Sequence, residues 1–115
     1  MEPISLTVLA DLQLAQARSV KSGRSAHTVH GGHGRILRQT VVALVQDHRL
    51  DDHESPGEAT LQVLIGAVRL ATETDSWNGT AGDLLAIPRR RHSLTALRDA
   101  VVLLTVVVGS RTPQP

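Results

Sequence analysis

Six histidines, His27, His30, His33, His48, His53 and His92, are the side chains of this 115-residue sequence best suited to chemistry. An imidazole can ligate a metal or move a proton near neutral pH. His27, His30 and His33 recur every third residue. On an extended strand the first two point to opposite faces, and Gly31, Gly32 and Gly34 around His33 mark a hairpin turn. That spacing is not the helical His pair of a zinc protease, so a surface or turn role is expected. His48 is expected to be exposed. Asp51, Asp52 and Glu54 surround His53 as an acidic patch. A solvated loop accounts for them, and Asp52 could also orient an imidazole. The Arg89-Arg90-Arg91 triplet reads as a solvated loop or as an anion-binding rim beside a pocket.

Several chemistries are excluded by composition. There is no cysteine, which removes disulfides, thiolate zinc sites, iron–sulfur clusters and Cys nucleophiles together. No G-x-S-x-G nucleophile elbow exists. Gly31-Gly32-His33-Gly34 lacks the Lys-Ser/Thr ending of a phosphate loop. Net charge is +1 and the only aromatic residue is Trp77, so no phosphate-tracking stripe or stacking platform for nucleic acid is present. The longest apolar run, residues 100–108, is far shorter than the roughly 20 residues of a membrane helix. A soluble, cytoplasmic protein that engages neither nucleic acid nor membrane is expected.

Residues 5–18 are expected to form a helix, with Leu6, Leu9, Leu12, Gln13 and Gln16 as its stripe. After Ala26 the texture changes to short β-branched runs separated by Gly, Pro, Asp and Asn. Strands are expected at 26–30, 35–46, 57–65, 67–72, 83–87, 92–97 and 100–108. Residues 51–56 and 74–82 are expected to be breaks, with Trp77 capping one barrel end or meeting an interface. The runs 40–45 and 100–108 are apolar on both faces. One face must turn inward, and the other must meet the N-terminal helix or a second subunit. This predicts a homodimer. The division is a helix and linker over 1–22, an antiparallel barrel over 23–109 and a flexible tail over 110–115.

Two segments carry a resemblance. Residues 47–66 and 82–92, with His53 in the first and Gly82, Pro88 and His92 in the second, resemble the two motifs of the cupins, which are small all-β jelly-roll barrels. Metal-using cupins hold one divalent ion with two H-x-H histidines, a glutamate and a histidine of the second motif. By this resemblance His53 matches the first ligand and His92 the last. Ser55 stands at the second histidine and Ala59 at the glutamate. Asp47 replaces the opening glycine and Ala96 the closing asparagine. Two of the four ligands are missing, and a transition-metal site usually needs at least three. Strand alternation turns Ala59, Leu61 and Val63 inward and Glu58 outward, so Glu58 cannot replace the lost acid without a bulge.

The resemblance implies a small binding or structural module with an incomplete metal site. His53, Ser55, Ala59, Leu61, Val63 and His92 would line a partly apolar cavity for a small molecule. The alternative is a metal-dependent enzyme of isomerase or dioxygenase type, holding Zn, Fe, Mn or Ni through His53 and His92. A third possibility is a sensor acting through a partner protein, since the chain shows no helix-turn-helix segment of its own.

Overall fold

The computed structural model describes residues 2–32, 34–53 and 57–107, the side chains of Asp52 and His53 excepted. Among these residues one helix, α1 (Leu6–Arg18), precedes nine strands: β1 (Arg24–His30), β2 (Leu37–Leu44), β3 (Arg49–His53), β4 (Ala59–Ile65), β5 (Ala67–Ala71), β6 (Ser76–Thr80), β7 (Leu84–Ala86), β8 (His92–Ala96) and β9 (Ala100–Val107). They form a five-stranded sheet ordered β1-β2-β9-β4-β7 and a four-stranded sheet ordered β3-β8-β5-β6. Every pairing is antiparallel. The sheets pack face to face as a flattened jelly roll, and hydrogen bonds do not close them into one cylinder.

Alternation builds the core. Val42 and Leu44 of β2, Ala59, Leu61 and Val63 of β4, Val68 and Leu70 of β5, Leu94 and Ala96 of β8, and Ala100 and Val102 of β9 meet between the sheets. Each large aliphatic side chain so buried contributes roughly 1.5–3 kcal/mol. The intervening residues Val41, Ala43 and Val101 form a second cluster with Ala10, Leu14 and Ala17 of α1. The helix is therefore the cover that the two-sided apolar strands require. Those strands no longer argue for a second subunit.

Ser5 caps α1, its hydroxyl accepting from the Val8 N–H at 3.2 Å. The buried stripe is Ala10, Gln13, Leu14 and Ala17. Leu12, expected on that stripe, is exposed, as is Gln16. Small residues let the helix approach the sheet closely, and Leu6 and Leu9 pack only at its margin. Beyond the helix C-terminus, Asp99 in the β8–β9 turn joins three segments. Its Oδ1 accepts from the Gln46 N–H at 2.8 Å, and its Oδ2 accepts from Arg18 Nε at 2.9 Å.

Two further strands, β3 and β6, form where no strand is expected from the sequence, β3 running into the expected break at 51–56 and β6 lying within that at 74–82. Arg49-Leu50-Asp51-Asp52-His53 has one apolar residue, and Ser76-Trp77-Asn78-Gly79-Thr80 is polar apart from its tryptophan. Both are edge strands, held by backbone pairing to β8 and β5. Trp77 is thus a strand residue opposite Leu70 and remains 41% exposed at the sheet edge. His48 is half-buried and not exposed as expected. Its ring lies against Gly23, whose φ of 65° favours glycine and where an added β-carbon would run into that ring.

Candidate functional site

The strands that carry the two motifs meet at one end of the jelly roll. His53 on β3 and His92 on β8 are directly opposite in the register. A register shift between Leu50 and His53 precedes this pair. The side chain of His53 and all of Ser55 lie outside the described residues, as do Glu54 and His33.

His92 is 4% exposed. Its Nδ1 donates to the Arg90 carbonyl at 2.8 Å. A carbonyl can only accept, so Nδ1 carries the proton and, in the neutral ring, Nε2 carries the lone pair. His92 and Leu61 border a small cavity between the sheets together with Val42, Leu50, Leu70, Ile87, Leu94, Val102 and Leu104. Its volume is about 30 Å³. That is about the share of one water molecule in the liquid. Drug-sized ligand sites run to roughly 300–1,000 Å³. Ala59 and Val63 face the core as alternation requires, but they do not border this space. Glu58 is exposed, so it does not supply the acid.

Among the described residues no three His, Cys, Asp or Glu side chains come together to hold a metal ion. The donors at this end of the jelly roll, among the described residues, fall short of a transition-metal ligand set. One described imidazole faces leucines and valines, and an alanine stands at the position of the family's acid. His27 is exposed and His30 half-buried on β1, on the five-stranded sheet, whereas His92 is on the four-stranded one.

Sequence reasoning missed most of the cavity wall. Leu50 lies outside every expected strand, and Leu70, Leu94 and Leu104 belong to expected strands whose inward face was not assigned. The inward phase of β4 gives Leu104, the register partner of Leu61, once the strand pairing is known. The Arg triplet does not border the cavity. Arg90 and Arg91 line a separate cleft on the outer surface, while Arg89 is exposed. No helix among the described residues is long and apolar enough to cross a membrane.

No family model matches the sequence, and no curated protein matches it. Solved structures do match. A conserved protein of unknown function from Streptococcus pyogenes has a TM-score of 0.70 at 22% identity, over 80% of this chain and 80% of that one. A cupin superfamily protein from Desulfitobacterium hafniense has a TM-score of 0.67 at 10% identity, over 74% and 77%. A salicylate 1,2-dioxygenase from Pseudaminobacter salicylatoxidans has a TM-score of 0.72 at 17% identity, over 87% of this chain and 33% of that one. Identities this low establish a fold and leave the chemistry to the site. The fold is that of the cupins.

Proposed function

We propose that this cupin-fold chain is a binding or structural module whose barrel is packed rather than hollow and holds no resident metal. The observation that carries this reading is the interior, a space of about 30 Å³ walled by aliphatic side chains and a single described imidazole. A substrate and a metal together need far more room, and the metal needs more donors. Ala59 supports the same reading, since the position that would hold a carboxylate fills core volume instead.

One feature favours the second reading, a metal-dependent enzyme. Metal-ligating histidines commonly donate their other ring N–H to a backbone carbonyl, as His92 does to Arg90. His53 is in register with it. Metal analysis of protein purified without a histidine tag separates the two. The packed reading expects zinc, iron, manganese and nickel far below one equivalent. Near-stoichiometric metal, lost in the H53A/H92A double variant, would overturn it in favour of the enzyme.

A further inference from the structure

We propose that two copies of this chain join through the outer edge of β1, with one flank of α1 closing over the seam. β1 ends the five-stranded sheet, and among the described residues no strand pairs with its outer edge. In an antiparallel pair, successive residues turn their backbone groups alternately toward the neighbour and away from it. The Val45 N–H donates to the Gly23 carbonyl at 2.8 Å, which sets the phase. Ser25 and His27 therefore address β2, while Arg24, Ala26 and Thr28 turn their N–H and C=O groups to the outer edge. Edge strands are commonly blunted by proline, by charge or by a bulge. β1 has no proline, its one Arg is at its first position, and its register shift comes only after Thr28. A second copy fits this edge. About a two-fold axis at Ala26, that residue meets the partner's Ala26, and Arg24 meets the partner's Thr28, giving about six backbone hydrogen bonds. Ala26 is exposed and puts no bulk at the axis.

The helix selects a second copy over an unrelated peptide. α1 packs chiefly on β1 and β2, so its axis lies about half a strand spacing inside β1. With strands about 4.8 Å apart, the two helices of a joined sheet lie roughly 10 Å from each other, an ordinary distance for packed helices. The Ser25 hydroxyl is 2.8 Å from the Gln13 carbonyl and 2.7 Å from Gln13 Oε1, so Gln13 marks the β1 side of α1. At about 100° per residue, Ser5, Leu9, Leu12 and Gln16 follow on that flank. None of them is charged. The two charged side chains of α1 are on the opposite flank, Asp11 beside Leu64 and Ile65 of β4 and Arg18 on Asp99. Leu12 is 60% exposed and Leu9 half-buried, and the partner's helix covers both. A charge-depleted apolar centre is what the core of an interface requires. The seam is two layers deep and about 20 Å long, the rise of a 13-residue helix. A face of roughly 20 by 20 Å on each copy, with side-chain relief, buries on the order of 1,000 Å² in total, the size at which specific interfaces begin. A peptide from another protein would satisfy β1 and leave Leu12 in water.

No residue of β1 borders the interior cavity, so the proposal stands apart from the packed-barrel reading. Sedimentation equilibrium of the full chain tests it, with a monomer–dimer equilibrium expected in the range of about 1–50 μM. A26P removes an N–H that points to the outer edge, so it spares the β1–β2 pairing while its ring blocks the seam. It should stay monomeric at about 100 μM with an unchanged circular dichroism spectrum. L12E should weaken the dimer at least about tenfold. T7E, a similar change on the opposite flank of α1, should leave it intact. In the unaltered chain, amide exchange at Ala26 and Thr28 should slow as protein concentration rises. Should A26P not fold, L12E and the exchange rates decide. A chain that is monomeric at about 100 μM would overturn the proposal. So would a dimer that keeps its affinity in L12E, or one whose Ala26 and Thr28 amides exchange at the monomer's rate.

Discussion

His92 donates its Nδ1 hydrogen to the carbonyl oxygen of Arg90, 2.8 Å away. The contact closes a tight turn at the start of β8. It holds the imidazole inward among leucines while Arg90 and Ser93 turn to the outer cleft. One stretch of four residues thus serves both faces of the sheet.

Substitution at His92 separates packing from chemistry. H92A removes a buried ring and leaves the Arg90 carbonyl without its donor, so it should cost about 2–4 kcal/mol. H92L restores apolar volume and should recover most of that loss. Urea unfolding of the two variants checks this. An H92L chain no more stable than H92A would show that the nitrogen atoms, and not the volume, matter most.

Asp47 stands at the position of the opening glycine of the first cupin motif, and its φ is 72°. This left-handed conformation is costly for residues with a β-carbon and free for glycine. D47G should therefore raise stability by about 0.5–1 kcal/mol in thermal or urea unfolding. Lower stability would mean that the aspartate side chain repays the backbone cost.

Asp99 makes acid stability predictable. The Gln46 N–H is the larger cause and the Arg18 guanidinium the next, and together they hold its carboxyl below the ordinary value of 3.8. A lowered folded pKa means that the charged form is favoured in the folded state. The contribution is complete above the unfolded value and is lost as pH falls through the lowered folded one. D99N keeps an oxygen for the Gln46 N–H and removes the charge. Unfolding free energies of D99N and the unaltered chain should differ at neutral pH and converge as pH falls through the lowered folded value of Asp99. A pH-independent difference would exclude this origin.

Much of this architecture was legible in the residues. Ala59, Leu61 and Val63 alternate with polar neighbours, so β4 and its inward face follow from period two. Val41 to Leu44 and Ala100 to Leu104 are apolar throughout, which demanded a cover on both sides, and α1 supplies the outer one. The edge strands were hidden for a physical reason. β3 and β6 are stabilised by pairing with β8 and β5, and polar side chains tolerate that pairing without announcing it. The helix stripe was misjudged because close packing selected Ala10 and Ala17 over the larger Leu12.

The site was legible only in part. The motif placed His53 and His92 together, and the register does pair them. The free volume between the sheets was not legible. It depends on how Leu50, Leu61, Leu70, Leu94 and Leu104, drawn from five strands, fill the same space. The surface cleft was also hidden, because Thr72 and Arg90 meet only through the β5–β8 register.

The most direct test is electron density in the interior, beside His92 and His53, in a crystal grown without added metal. A packed, metal-free barrel predicts leucine and valine side chains in contact and at most one water in the space of about 30 Å³. A peak bonded to imidazole nitrogen at about 2.0–2.1 Å with further ligands around it, or a bound organic molecule in the interior, would contradict it.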